Sequence, residues 1–232
     1  MADLEGDGDA EVIALVKPST ERYKHGVLGD ALEPTAVAAF ERHSLELLWR
    51  LDLPAPFVFE DIAARPVRIA GKDQLAIVRS GPNGGAALAL VGLAAGKLEL
   101  MSGPDFGQPN RWLNPLVGLG ELYAVLTPHI GGVLTRFALQ GDKLAPNNIY
   151  AGLSGHSIGS RNLGTGLIVR SGLVALPTQD HRAVLQLECA SVCKLRSSTN
   201  LTEMYSSNLI RVGDALVIGD DARHLNFIPL ER

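Results

Sequence analysis

The stretch Leu75-Ala76-Ile77-Val78 is a short, fully apolar run that ends at the turn signal Ser80-Gly81-Pro82. Runs of this length that lie between glycine and proline signals are typical of strands buried on both faces. Their last apolar residues lie 62, 48, 50 and 42 positions apart, so a unit of similar length recurs. The other four runs, each followed by turn residues that include proline or glycine, lie at 12–16, 122–126, 173–176 and 215–218.

A second pattern keeps the same spacing. After each of the first four runs come an alternating apolar stretch, a short polar turn and another alternating stretch, which is the signature of a β-hairpin. Each unit is therefore expected to contain an inner apolar strand, a hairpin and a looser segment that leads to the next run. The segment 35–49 would also suit a helix, but its periodicity fits a hairpin at least as well. The expected hairpins pair 37–40 with 44–47, 88–91 with 96–100, 137–139 with 142–144, and 185–187 with 193–195.

Units of roughly 40 to 50 residues with three or four strands each are typical of the blades of a β-propeller. We therefore predict an all-β chain that forms a single β-propeller domain over 1–232, with four complete units and one partial unit. An irregular β-sandwich is the alternative. The expected units lie at approximately 3–62, 63–112, 113–163, 164–208 and 209–232.

The last unit supplies one apolar run and one further strand, at 225–230, before the sequence ends. Propellers usually hide their strand edges by closing the ring, since an open edge invites pairing with another chain. Three arrangements remain: part of a larger ring, irregular closure, or self-association through an open blade edge. The sequence favours part of a larger ring.

The composition excludes several classes of protein. Hydrophobic residues make up 46% of the 232, which excludes a disordered polymer. A net charge of -4 argues against a nucleic-acid partner, which requires a basic face. No apolar run approaches the roughly 20 residues of a membrane-spanning helix. The acidic first residues give no sign of a signal peptide in this chain.

An acidic loop precedes the first apolar run, and its glycines permit a tight curl. Oxygen ligands at alternating positions suit a hard cation such as calcium. The alternative is a frayed acidic terminus. We expect the carboxylates of Asp3, Glu5, Asp7 and Glu11 and the main-chain carbonyl of Asp9 to bind the ion. The predicted calcium ligands are therefore Asp3, Glu5, Asp7, Asp9 and Glu11.

The segment Asp3-Leu4-Glu5-Gly6-Asp7-Gly8, followed by Glu11-Val12-Ile13, resembles the calcium loop and inner strand of FG-GAP/VCBS-type repeats. The segments 127–132 and 156–162 are also similar to stretches of bacterial VCBS-repeat proteins. The resemblance implies integrin-like propeller blades, one calcium ion in the N-terminal loop and a location in the periplasm or outside the cell. Only the first repeat carries the acidic positions, because the second has Arg65, Val67 and Ile69 opposite Asp3, Glu5 and Asp7.

Cys189 and Cys193 flank the expected turn of the fourth hairpin. Residues that face each other across so tight a turn can lie within disulfide range, and export, which the resemblance implies, would permit oxidation. A pair of free buried thiols is the alternative. Zinc binding is disfavoured because structural zinc sites require four ligands.

Polar side chains in the loops beside the inner strands could form a shared ligand face, because such loops converge at one end of a propeller. An imidazole next to a carboxylate could also perform acid–base chemistry, but aspartate and histidine are ordinary turn residues and none here has an established catalytic spacing. The candidate ligand residues are His129, Asp180, His181, Asp220, Asp221 and His224.

These features predict a calcium-stabilised propeller of the VCBS/FG-GAP type that acts as a binding or scaffold module and is not an enzyme. Its ligand would be a protein or a carbohydrate, without nucleic acid and without a membrane span. The alternative is a carbohydrate-active hydrolase or lyase of the five-bladed propeller kind. Such an enzyme requires converging carboxylates, and the inner strands themselves carry none.

Overall fold

The computed structural model describes residues 1–230, and almost all of its regular structure is β-strand. One short 3-10 helix, Gly26–Leu28, lies in the connection between the first two strands. None of the described residues belongs to a helix that is long and apolar enough to cross a membrane.

The strands form five antiparallel sheets that follow one another along the chain. The first sheet contains β1 (Val12–Ser19), β2 (Glu33–Phe40) and β3 (Leu47–Asp52). The second contains β4 (Val58–Phe59), β5 (Arg65–Ile69), β6 (Lys72–Gly81), β7 (Gly85–Ala94) and β8 (Lys97–Ser102). The third contains β9 (Leu113–Gly118), β10 (Glu121–Leu126), β11 (Val133–Gln140) and β12 (Lys143–Ala151). The fourth contains β13 (Leu167–Arg170), β14 (Leu173–Pro177), β15 (Ala183–Cys189) and β16 (Cys193–Asn200). The fifth contains β17 (Ile210–Val212), β18 (Ala215–Gly219) and β19 (Leu225–Pro229).

Each pair of consecutive sheets encloses a hydrophobic core. On β6, Leu75 and Ile77 pack in a core shared with β2 of the first sheet. The alternate residues Ala76 and Val78 pack in a core shared with β10 of the third sheet. Successive side chains of a strand point to opposite faces, so a strand with a neighbouring sheet on each side requires apolar residues throughout. This requirement explains the continuous apolar runs.

The strands predicted from those runs and from the hairpins that follow them are confirmed. The five runs lie in β1, β6, β10, β14 and β18. The hairpins expected after the first four runs are the antiparallel pairs β2–β3, β7–β8, β11–β12 and β15–β16. The ambiguous segment 35–49 is the hairpin of β2 and β3 and contains no helix.

The expectation that these runs lead their sheets is wrong for four of the five sheets. In the second to fifth sheets a further strand, β5, β9, β13 or β17, precedes the apolar run and pairs with it. These strands show no clear strand pattern in the sequence because they are short, polar or interrupted by proline. In β9, for example, Pro115 interrupts the run, and proline is tolerated there because β9 lies at the edge of its sheet.

The fifth sheet has an apolar outer face. Its inner face, with Leu216 and Ile218, packs against the fourth sheet. Strand register places Ile210 and Phe227 opposite Val217 on the other face. Ile210 is 53% exposed and Phe227 is 63% exposed, so no described residue covers this face as the neighbouring sheets cover one another.

Candidate functional site

Loops that connect strands of the third, fourth and fifth sheets meet at one end of the structure. Backbone bridges between Leu153 and Thr178 and between Tyr205 and Asp220 tie these loops together. They enclose a cleft of about 630 Å³, which we call the histidine cleft. Its lining includes His129, His156, Gln179, Asp180, His181 and Asp221.

Two of the imidazoles form a hydrogen-bonded pair whose proton positions follow from their partners. His156 Nε2 lies 2.8 Å from the carbonyl oxygen of Ser160, and a carbonyl oxygen only accepts, so this nitrogen carries a hydrogen. In a neutral ring Nδ1 of His156 is then an acceptor. His129 Nε2 lies 2.8 Å from it and must donate. The remaining nitrogen of His129, Nδ1, therefore keeps its lone pair.

Burial keeps these rings neutral. Loss of hydration, followed by the nearby His156, lowers the pKa of His129 to about 4. Burial also lowers the pKa of His156, although its hydrogen bond to the Ser160 carbonyl opposes this shift. The indole ring of Trp112 lies against both rings, with centroids 6.2 Å from His129 and 4.8 Å from His156. At neutral pH the pair therefore offers a ligand the lone pair of His129 Nδ1 and carries no positive charge.

The third imidazole belongs to a second group, built around Ser154. His181 Nε2 lies 3.0 Å from Ser154 Oγ, and the Tyr205 hydroxyl lies 3.3 Å from the same oxygen. The His181 and Tyr205 rings contact each other with centroids 4.6 Å apart. Burial lowers the pKa of His181, and the carboxylates of Asp180 and Asp221 oppose that shift.

A smaller cleft of about 240 Å³ adjoins the first and shares His129 with it. His25 lines this second cleft, and its Nδ1 lies 2.6 Å from Oε1 of Glu60, which is fully buried. The Ser80 hydroxyl donates to the other oxygen of Glu60 at 2.5 Å. The buried carboxylate therefore fixes the orientation of the His25 ring.

Of the six predicted ligand residues, the structure brings four together in the histidine cleft: His129, Asp180, His181 and Asp221. Asp220 lies outside that lining because its carboxylate accepts hydrogen bonds from the His224 backbone N–H and from the Asn226 amide in the β18–β19 turn. His224 is part of that same turn.

Sequence reasoning missed His156, Ser154 and Tyr205 as members of the site. They lie in the long connections 152–166 and 201–209, which have no strand pattern. The one available signal is that His156 lies in a glycine-rich stretch of the sequence. That signal does not indicate which residues His156 contacts. His25 was missed for a similar reason, since it precedes the isolated 3-10 helix.

The predicted calcium ligands lie in one loop, and the carboxylates of Asp3, Asp7 and Glu11 bond to the loop backbone. Asp3 accepts from the N–H groups of Gly6 at 2.7 Å, Asp7 at 3.1 Å and Gly8 at 3.0 Å. Glu11 is buried and accepts from the N–H of Leu4 at 2.8 Å. Within residues 1–230 no group of three or more His, Cys, Asp or Glu side chains is placed to hold a metal ion. In this conformation the N–H groups of the loop itself occupy the carboxylates of Asp3 and Glu11.

The two cysteines are joined to each other. Cys189 and Cys193 pair directly across the β15–β16 turn and form a disulfide with a Cα–Cα distance of 4.0 Å. Arg136 and Asn147 of the third sheet donate to the carbonyl oxygens of Ala190 and Ser191 in the same turn.

Comparison with known proteins identifies the fold. No protein-family model and no curated protein matches the sequence. The crystal structure of BamB from Moraxella catarrhalis matches 88% of this chain and 56% of its own, with a TM-score of 0.50 and 11% identity. The fold is a β-propeller. The WD40 domain of SCAP from fission yeast also matches, over 81% of this chain and 47% of its own, with a TM-score of 0.46 and 12% identity. The chain spans about half the length of the solved structures it matches.

A buried carboxyl group, that of Glu33, lies within electrostatic range of Glu60. Glu33 is 2% exposed, and its Oε1 has no hydrogen-bond partner among the described residues. Burial, reinforced by the negative charges of Glu60, Asp30 and Asp61, raises the pKa of Glu33 from 4.5 to about 8. The side chain is therefore neutral in the folded protein at pH 7.

This raised pKa predicts a loss of stability with rising pH. Between pH 4.5 and about pH 8 the folded state holds a proton that the unfolded chain has lost, so the free energy of unfolding falls as the pH rises. We expect Glu33→Gln to match the wild type near about pH 4 and to exceed it by a few kcal/mol (on the order of 3) near about pH 9. Urea unfolding at both pH values measures the difference.

The exposed Glu99→Gln variant is the control, and it should follow the wild-type pH profile. Equal stability of Glu33→Gln and the wild type at the alkaline pH would show that Glu33 ionises normally in the folded protein.

Proposed function

We propose that the protein is a β-propeller binding module that holds a protein or carbohydrate ligand in the histidine cleft and performs no chemical step. The observation that carries this proposal is the cleft itself, which three neutral imidazoles and two carboxylates line at the end where the loops converge. Pockets that combine a concave shape with a few fixed polar groups are the usual sites of ligand recognition.

The geometry favours binding over catalysis. The Ser154 hydroxyl lies next to His181 but is fully buried. A catalytic nucleophile must be accessible to the substrate, and this hydroxyl is not. A glycoside hydrolase also needs a carboxylic acid whose pKa is raised. Asp180 has the opposite property, because hydrogen bonds from the Thr178 hydroxyl and the Arg182 N–H lower its pKa. A carbohydrate-active enzyme is therefore the weaker proposal.

Blocking the cleft tests the binding function. Ser206 is an exposed residue of the cleft lining, so a tryptophan there would fill the cleft without disturbing a core. On peptide and glycan arrays we expect the labelled wild-type protein to bind a defined set of features. Ser206→Trp should weaken that binding by about tenfold or more, which corresponds to roughly 1.4 kcal/mol.

Ser191→Trp, at the exposed disulfide turn, is the matched control and should bind as the wild type does. Binding that survives Ser206→Trp unchanged would place the ligand elsewhere, and a wild-type protein that binds no feature would argue against a binding module.

We also propose that the acidic loop binds calcium and that the repeats are of the FG-GAP/VCBS type. What supports this is the alternation of acids with Gly6 and Gly8, whose positive φ angles of 77° and 99° give the loop its tight curl. A calcium ion would have to replace the backbone N–H groups that now bond to Asp3. No further step of the proposed function depends on it.

Calcium should raise the melting temperature if the site is real. An ion that binds only the folded state stabilises it by about 2.7 kcal/mol at a hundred times its dissociation constant. Asp7→Ala should abolish the shift, while Asp214→Ala, in the distant β17–β18 turn, should retain it. Titration calorimetry that detects no heat, together with an unchanged melting temperature, would contradict the calcium proposal.

A location outside the cytoplasm is also proposed. It is supported by the Cys189–Cys193 disulfide, since such bonds persist mainly in oxidising compartments. Ready alkylation of both thiols in protein purified without a reductant would contradict it.

Self-association at the fifth sheet is also proposed, and the outer face of that sheet is the surface that would mediate it. The support is its exposed Ile210, Val212, Leu225 and Phe227, which present the same kind of apolar face that consecutive sheets bury between them. Sedimentation velocity should show a dimer of the wild type and of the control Leu195→Lys, and a monomer for Phe227→Lys. A monomeric wild type would refute the proposal.

A further inference from the structure

The polar groups of the histidine cleft divide into those already bonded and those left for a ligand. The two side-chain amides of the lining are held within the protein: the Gln179 amide donates to the carbonyl of Pro128, and the Asn162 amide donates to the carbonyl of Ser206. The lining hydroxyls of Ser157, Ser160 and Ser206 can donate or accept. The Gln179 side-chain oxygen accepts from the N–H of Gly132. Neither amide is free to turn toward a ligand without losing these bonds.

The strongest acceptors of the cleft are an imidazole nitrogen and two carboxylates. His129 Nδ1 has a lone pair and no hydrogen-bond partner within residues 1–230. Asp180 uses one carboxylate oxygen, Oδ1, to accept from Thr178 and Arg182, which leaves Oδ2 for a ligand. Asp221 adds a second carboxylate to the lining.

No positive charge balances these carboxylates in the cleft, since no lysine or arginine is among its described lining residues. Three arginines lie close in sequence but outside the lining: Arg161 pairs with Asp30 at 3.0 Å, Arg182 pairs with Glu203 at 3.5 Å and also helps to lower the pKa of Asp180, and Arg223 follows Asp221 by two residues. The three imidazoles are neutral at pH 7 because burial lowers the pKa of each. An anionic ligand would therefore meet two carboxylates and no compensating cation.

On the basis of the proposed function, we infer that the histidine cleft binds a positively charged nitrogen group, an ammonium or a guanidinium. Such a group supplies several N–H donors, which match the free acceptors His129 Nδ1, Asp180 and Asp221. A bare metal ion suits the cleft less well, because within the described residues no three ligating side chains converge. The volume of about 630 Å³ accommodates a whole lysine or arginine side chain.

The group could belong to a partner protein or to a free polyamine, and the same titration separates the two sources. The probes are acetylated and amidated Gly-X-Gly peptides, with X as Lys, Arg, Gln or Glu, and spermidine. Calorimetry with the full chain should detect binding of the Lys or Arg peptide, weaker binding as salt rises, and none of the Glu peptide. Binding of spermidine alone would identify a free amine as the ligand.

Asp180→Asn with Asp221→Asn is the decisive variant, because asparagine can still accept the hydrogen bonds of the β14–β15 turn while the charge is lost. We expect this double variant to weaken binding by about tenfold or more, and the control Asp214→Asn to leave it unchanged. Equal binding of the Gln and Lys peptides, or an unchanged affinity in the double variant, would overturn the inference.

The binding function and the charge preference can fail separately. If the arrays show a neutral or acidic ligand that Ser206→Trp displaces, the binding module stands and the charge inference is wrong. If Ser206→Trp displaces nothing, both are wrong.

Discussion

The burial of single strands on two faces at once is the constraint on which the structure depends. A sheet of an ordinary sandwich hides one face, whereas β6, β10 and β14 contribute side chains of alternate direction to two separate cores. Each of these strands has to be apolar along its length, and each sheet stabilises the next. The outer face of the fifth sheet departs from this arrangement, because its apolar residues Ile210 and Phe227 are exposed and no described sheet packs against them.

The loops are ordered by a different kind of interaction. The connection 152–166 has no regular structure, and long connections of this kind are usually functional when they occur in compact domains. Side chains of its neighbours fix its path: the Asn114 amide donates to the carbonyls of Gly155 and Leu163, and the Thr165 hydroxyl donates to Gly155. Gly29 approaches Gly159 so closely that a Cβ would lie 2.7 Å from its carbonyl oxygen. Hydrogen bonds within the protein therefore fix the loop that lines the cleft, so the cleft is preformed.

These two kinds of interaction explain what could be predicted from the sequence. Apolar runs and hairpins follow from local periodicity, so most strands and the β-propeller fold were accessible. Strands such as β9 were not, because a proline and an asparagine within six residues hide the pattern. His129 and His181 could be placed near one another because each follows an apolar run. His156 could not, since hydrogen bonds from distant side chains decide where its loop lies.

The acidic loop illustrates why a pattern of charges underdetermines chemistry. Carboxylates at alternating positions satisfy a hard cation, but backbone N–H groups of a tightly curled loop satisfy them too, as the three bonds to Asp3 demonstrate. A sequence motif shows which carboxylate oxygens are available. It does not show whether a cation or a backbone N–H group binds them. In the histidine cleft the ambiguity is smaller, because the carbonyl of Ser160 fixes one proton and, through it, the orientation of every hydrogen bond in the His129–His156 pair. The ligand that a site prefers can be inferred when the hydrogen-bond partners of its polar groups are known. In the histidine cleft the partners of the His129–His156 pair are known, whereas the acidic loop leaves open whether a cation can replace its backbone N–H groups.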